Sequence, residues 1–285
     1  MATAKNSRLD VKKTYKLYIG GAFPRSESGR SYEVKSAKGV FIANPAQASR
    51  KDLRDAVVAA RSAFTGWSSA TAFNRGQILY RVAEIMEGRS SQFVDEIVAL
   101  EGITPAAAKK QVEAAIDLWV WYSGWCDKVA SIYGSTNPVS GSFYNFTTPE
   151  PMGVVGVFAP QKPSLLGVVQ SLAPVIAAGN TAVLVASEKF PLPAISLSEV
   201  LATSDLPGGV VNILTGITAE LAPWMGSHMD VDAIDASGLS AALDKEVRVA
   251  GTENLKRIFT FKGDVSPQRL LAFMENKTVW HPIGI

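Results

Sequence analysis

The chain has one cysteine and two histidines in 285 residues, and these scarcities exclude much. A single thiol leaves no internal disulfide. His228 and His281 stand far apart with no Cys/His cluster beside them, so the sequence points to no metal site. No apolar run approaches the roughly 20 residues that span a bilayer, and no membrane association is expected. The opening MATAKNSRLDVKKTYK lacks the apolar centre of a secretory signal and predicts a cytoplasmic protein. A dominant charge is missing too. The 28 basic and 26 acidic residues leave +2, without the basic stripe that nucleic acid requires. There is no internal repeat, no low-complexity tract and no G-x-G-x-x-G.

What remains is the composition of a globular chain, 47% apolar and 19% charged, long enough for one large domain or two smaller ones. TYKLYIGGAFPRSESGRSYEV alternates weakly around Gly-Gly and Ser-Gly turns and reads as a strand hairpin. From Lys51 the period becomes helical: Leu53, Ala56, Val57, Ala60 and Phe64 share one face. Two more helices follow in GQILYRVAEIMEGR and SSQFVDEIVALEG. Thr104 then caps a long helix whose first turn holds Pro105, expected to run through AAAKKQVEAAIDLWVWYSGWCDKVAS. Residues 134–150 are turn-rich, then alternate with Phe143, Tyr144 and Phe146, and read as a two-stranded extension.

After Pro151 the rhythm changes. GVVGVFA, TAVLVAS, GVVNILTG, VDAIDAS and LKRIFTF are short strands separated by helical segments. Continuous apolar strands alternating with helices predict an α/β fold with a doubly wound parallel sheet. Ligands of such sheets sit at the strands' carboxyl ends, here 159–163, 185–188, 215–217 and 236–239. SPQRLLAFMENKTVWHPIGI closes the chain as a short helix and a strand around Thr278–Trp280.

Ordered segments then carry a resemblance. ANPAQAS, AARSAFTGW, LEGIT, GWCDK, EPMGVVGVFAP, LAPVIAAGNTAVL, PGGVVNILTG, HMDVDAIDASG, NLKRIFTF and NKTVW follow one another as their counterparts do in the aldehyde dehydrogenase superfamily. The chain most resembles the shortened, cysteine-less second unit of two-unit aldehyde dehydrogenases. The resemblance implies a Rossmann-like cofactor-type domain (1–133 and 151–261) with an N-terminal helical region, and a small β oligomerisation flap (134–150 and 262–285). It also implies that the catalytic domain is absent, because LKRIFTF passes to NKTVW where the family inserts a whole domain.

Position by position, the resemblance assigns Pro160, Glu188, Gly216 and Gly238 to the cofactor-facing edge. The family's oxyanion-hole Asn falls at Lys162. Its ribose-clamping Lys-Pro-Ala-Glu falls at Val185-Ala186-Ser187-Glu188, so the carboxylate stays and the lysine is gone. Its Phe-Thr-Gly-Ser falls at Ala236-Ser237-Gly238-Leu239, where the serine hydroxyl is lost. Its general-base Glu aligns with Phe261, and its nucleophilic Cys has no counterpart. Cys126, inside GWCDK, reads as a buried structural thiol. Lys162 reads as a solvated surface lysine, although a lysine at the mouth of a crevice can form a Schiff base.

Losing an oxyanion donor costs about 10²–10³ in rate, a general base about 10²–10⁴, and a nucleophile on the order of 10⁶. The resemblance therefore implies a non-catalytic pseudoenzyme that assembles with itself or with a catalytic aldehyde dehydrogenase subunit. No catalytic residue and no metal are assigned, and the cofactor is none or weakly held NAD(P). Two alternatives stand beside it: an NAD(P)-binding sensor module, and an active NAD(P)-dependent aldehyde dehydrogenase.

Overall fold

The computed structural model describes residues 11–263 and 265–284. A short ribbon, β1 (Val34–Lys35) and β2 (Phe41–Ala43), leads into α1 (Arg50–Ser69), α2 (Ala72–Gly88), α3 (Ser90–Glu101), α4 (Pro105–Ser123) and α5 (Val129–Tyr133). Two strands follow, β3 (Ser135–Asn137) and β4 (Phe143–Pro151). The alternating part runs β5 (Val154–Phe158), α6 (Leu166–Ala177), β6 (Thr181–Val185), α7 (Leu192–Leu201), β7 (Val211–Leu214), α8 (Thr218–Ser227), β8 (Ala233–Asp235), α9 (Ala241–Gly251) and β9 (Arg257–Phe259). The chain ends in α10 (Pro267–Leu271) and β10 (Met274–Pro282).

Local chemistry sets these boundaries. Ser49 opens α1 with a capping box. Its hydroxyl accepts from the backbone of Lys51 and Asp52, and the buried Asp52 carboxylate takes the Ser49 amide at 2.8 Å. Thr104 caps α4 with Pro105 in its first turn, as its sequence predicts. The expected continuation of α4 to residue 131 does not form. Gly124, a poor helix former, stands at its end, and the Trp125 amide turns back to the Tyr122 carbonyl at 3.1 Å, tightening the chain out of the helix.

The N-terminal hairpin forms as a short one: Ile19 and Ala22 exchange both backbone hydrogen bonds at 3.0 Å around Gly20 and Gly21, which stand at φ +60° and +83°, and the Leu17 amide donates to the Pro24 carbonyl at 3.0 Å. Tyr18 also exchanges two backbone hydrogen bonds with Ile213, 2.9 and 2.7 Å, and extends the sheet beyond β7.

The central sheet has the order β7-β6-β5-β8-β9 and is parallel throughout. The chain moves outward from β5 to β7, then returns to place β8 beside β5, so the winding reverses between β5 and β8. Every residue of β5 and β6 is buried, which is why these strands read as continuous apolar runs. Alternate residues feed two cores. Val155, Val157, Ala182 and Leu184 pack with α2, α3, α4, α6 and α7, while Val154, Phe158, Val183 and Val185 pack with α1, α8 and α9.

A separate antiparallel sheet, β10-β4-β3, carries the flap. β10 pairs with β4 along nine residues, from Met274–Pro151 to Pro282–Phe143, longer than the strand predicted around Thr278–Trp280. Among the described residues no helix is long and apolar enough to cross a membrane.

Candidate functional site

The carboxyl edge of the parallel sheet is where this fold puts a ligand. At the reversal point the backbone fills the space. The Gly238 amide donates to the Phe158 carbonyl at 2.9 Å, and a Cβ on Gly238 would stand 2.2 Å from the Ala159 oxygen. Only glycine permits that approach. Ser237 turns inward, its amide donating to Asp235 Oδ1 at 2.9 Å and its oxygen accepting from the Phe261 amide at 2.9 Å. Burial raises the Asp235 carboxyl above the usual carboxylate range, against the opposing pull of the Ser237 hydrogen bonds and of Arg269. Pro160 lies over the first turn of α6, its ring 3.3 Å from where a Gly167 Cβ would be.

Helix N-termini attract anions, and at this edge those of α6 and α8 already hold the protein's own side chains. Glu101 Oε1 accepts from the Ser164 amide at 2.8 Å and the Ser164 hydroxyl at 2.6 Å, just ahead of α6. Gln111 Oε1 takes the Leu165 amide at 3.1 Å. Glu188 Oε2 takes the Thr218 amide of α8 at 3.1 Å. Gln161 ties the loop after β5 to the loop after β6, accepting from the Ser187 hydroxyl at 3.0 Å and the Lys189 amide at 3.1 Å.

Gly216, at φ +148°, lies under the N-terminal segment, where a Cβ would stand 3.1 Å from the Ala48 amide nitrogen. Next to it the Ala48 amide donates to the Thr215 carbonyl at 2.8 Å. Tyr32 packs nearby. Its hydroxyl titrates above the ordinary tyrosine range, first because of burial and second because of the Glu188 charge.

The four sequence-assigned positions thus share one edge but form two pairs. Pro160 and Gly238 sit at β5 and β8, and Glu188 and Gly216 at β6 and β7. Their polar atoms serve internal contacts. The residues that make these contacts, Glu101, Gln111 and Gln161, were not singled out by sequence reasoning. The one local signal was Gln111, a polar residue in the apolar face of α4 that is buried.

The stretch between β9 and β10 is a short link with no intervening domain. Phe261, at the position aligned with a general base, stacks on Phe259 with ring centroids 5.9 Å apart and meets the edge of Phe273 at 5.9 Å. The Arg269 guanidinium covers Phe261 at 4.8 Å and donates to the Gln170 carbonyl at 3.0 Å. Asn180 donates to the Phe273 carbonyl at 2.8 Å, fixing the link to the end of α6. These contacts leave no ionisable base at Phe261.

Lys162 is exposed, 4.7 Å above the Phe190 ring and 3.3 Å from the Glu101 carbonyl, without the burial that makes a lysine nucleophilic. Cys126 is buried in the turn after α4, its thiol 3.6 Å from the Tyr122 carbonyl. Burial pushes its pKa up to about 12, despite the opposing pull of Arg75, so it carries almost no thiolate at neutral pH. Among the described residues no group of three or more His, Cys, Asp or Glu could hold a metal.

Taken as a dinucleotide site, this edge does not fit. Glu101 and Glu188 already hold the amides ahead of α6 and at the start of α8, Val185 supplies no cation beside Glu188, and Leu239 supplies no hydroxyl.

Comparison with known proteins identifies the family and the fold. The profile of the aldehyde dehydrogenase family matches residues 23–269. Human retinal dehydrogenase 2 is 33% identical over 270 residues, covering 93% of this chain and 51% of that protein. An aldehyde dehydrogenase of Aspergillus niger is 31% identical over 274 residues, covering 94% and 54%. Among solved structures, PnpE in complex with nicotinamide adenine dinucleotide superposes with a TM-score of 0.81 at 29% identity, covering 86% of this chain and 50% of PnpE. The chain spans about half the length of these relatives.

Proposed function

The chain belongs to the aldehyde dehydrogenase family, and from that premise we propose that it works as a cytoplasmic, non-catalytic subunit that assembles with itself or with an active aldehyde dehydrogenase. The cofactor-type unit would comprise 1–133 and 151–261, and the assembly flap 134–150 and 262–285, of which residues 1–10, 264 and 285 lie outside the described residues.

One observation carries the reading. Among the described residues β10 keeps an open strand edge, while Glu101, Gln111, Gln161 and Glu188 hold backbone amides along the ligand edge of the parallel sheet. The Ile283 amide donates to the Ser142 carbonyl at 2.9 Å. In the β4–β10 register this makes 281, 279, 277 and 275 the residues bonded to β4. The backbone groups of Asn276, Thr278 and Trp280 then point away from β4, along the outer edge of the sheet. Such an edge is a template for another strand. Trp280 and Phe143 meet edge to face on the flap and stay 57% and 42% exposed, a good apolar anchor for a partner.

Self-assembly gains a second support from α9. Its exposed face carries Ala242, Lys245, Glu246 and Val249. If two copies cross antiparallel about a two-fold axis between Lys245 and Glu246, each Lys245 meets the other copy's Glu246. Each Ala242 then meets Val249, small against large. A self-complementary patch of this kind is what an isologous dimer requires.

Native mass spectrometry tests the proposal, on the chain alone and after co-expression with full-length aldehyde dehydrogenases. A homo-oligomer or a stable mixed complex is the expected result. A monomer that ignores every dehydrogenase offered would overturn it. An active enzyme would instead reduce cofactor alone and lose that activity on Cys126→Ala. A sensor module would show tryptophan quenching by micromolar NAD.

A further inference from the structure

A cavity of about 460 Å³ opens in the N-terminal segment, away from the sheet edge described above. Lys12, Lys13, Lys16, Arg25 and Arg30 line it, with Glu27 as its one carboxylate. Glu27 is turned elsewhere, its Oε2 3.6 Å from Lys51 Nζ and its Oε1 accepting from the Ser49 hydroxyl at 3.0 Å. Lys13 and Arg30 are held in place by Glu199 at 2.8 Å and Glu220 at 3.0 Å, neither of which lines the cavity. Among the described residues Lys16 and Arg25 pair with no carboxylate.

The walls are firm. Buried Asp52 accepts from the Ser26 hydroxyl at 2.7 Å and the Glu27 amide at 3.1 Å, which fixes the loop that carries Arg25 and Arg30. The opposite wall is anchored through Tyr15, whose hydroxyl donates to Glu96 at 3.4 Å. Ala43 and Ala46 form a buried apolar floor, and the Phe41 ring is 41% exposed at the rim. A firm, concave, partly apolar cavity lined by cations, two of them without a carboxylate partner among the described residues, has the elements of an anion pocket.

The charge distribution along the chain points the same way. Residues 11–46, which supply the whole lining of the cavity, hold 7 Lys and Arg against 2 Asp and Glu. The near-neutral total hides a strongly basic segment here, and such a segment attracts anions.

We infer that this cavity binds a diphosphate group, with Lys16 and Arg25 as its principal partners and Phe41 placed to stack on a base when a nucleoside carries the diphosphate. The inference does not depend on the subunit reading. Arginine and lysine beside a phosphate form charge-assisted hydrogen bonds, and an exposed ring accepts the flat face of a base.

Isothermal titration of the full chain at low salt tests it, with inorganic pyrophosphate and UDP as separate probes. Both are expected to bind, UDP more tightly. Lys16→Glu/Arg25→Glu should weaken both by about tenfold or more, since each charged hydrogen bond contributes about that much. Phe41→Ala should erase the advantage of UDP alone. Lys16→Arg/Arg25→Lys keeps the charges and should retain binding. Lys109→Glu/Lys110→Glu, which makes the same charge change on α4, should leave both affinities as they are. No binding below millimolar probe overturns the inference, as does equal weakening by the two charge-reversed pairs, which would reduce the effect to net charge.

Discussion

The carboxylate of Glu188 lies 3.1 Å from the backbone amide of Thr218 and fills the first turn of α8, where the helix has no cap of its own. A carboxylate at a helix N-terminus is stabilising through its hydrogen bond and through the helix dipole. Glu188→Ala should therefore lower stability by about 0.5–2 kcal/mol, the usual cost of losing a cap, measured by thermal denaturation. The same contact sets the expectation for cofactor. Tryptophan fluorescence should not change as NAD is raised through the micromolar range. Saturable quenching there would mean that Glu188 leaves Thr218 to reach a ribose.

Cys126 offers a test of the missing nucleophile. With its pKa raised to about 12 by burial, the folded protein should resist thiol reagents at pH 8 and react promptly once unfolded. An unfolded thiol ionises near 8.5. The folded pKa is the higher one, so this group's contribution to stability is full below about pH 8.5 and declines as pH rises towards 12. Rapid labelling of the native chain at pH 8 would contradict the buried thiol.

The sheet was legible in the sequence because β5 and β6 are buried on both faces and so lack alternation. The start of α4 was legible because Thr104 and Pro105 act within one turn of themselves. The end of α4 was missed although Gly124 is a local stop signal, because LWVWYSGW keeps a helical spacing across it. The N-terminal hairpin was legible in its Gly-Gly turn, but the other partner of its first strand, Ile213, lies almost two hundred residues away and gave no local signal. The contacts along the sheet's ligand edge were hidden for the same reason. Glu101 reaches Ser164 and Gln111 reaches Leu165 across more than fifty residues. Motif positions show which groups a crevice has lost. They do not show which side chains have moved in to satisfy the backbone left behind.

The α9 pairing makes a prediction with an internal control. Lys245→Glu places two carboxylates opposite one another at both ends of the two-fold contact, and Glu246→Lys places two ammonium groups there. Like charges placed directly opposite oppose association, so each variant alone should shift towards monomer in analytical ultracentrifugation at low salt. Mixed together, the two variants restore attraction at both positions and should form a heterodimer. Both residues are exposed, so neither change should disturb the fold. If both single variants remain as associated as the parent, α9 is not the seam.

The outer edge of β10 can be tested separately, because the register assigns opposite roles to neighbouring residues. Thr278 directs its amide away from β4, and Val279 directs its amide towards Phe146. Proline lacks an amide hydrogen and is tolerated in a sheet only where that amide is not needed by the ladder. Pro149, Pro151 and Pro282 already stand at positions of the first kind in this sheet. Thr278→Pro should therefore leave the flap folded while blocking the addition of a partner strand. Val279→Pro removes a bond to β4 and should destabilise the flap itself, by about 3 kcal/mol if the cost matches that of a helix interior. Thermal denaturation and native mass, read together, separate the two. Thr278→Pro should keep its melting temperature within a few degrees and lose mass, and Val279→Pro should lose both. If Thr278→Pro melts normally and still assembles, the open edge of β10 is not where the partner binds.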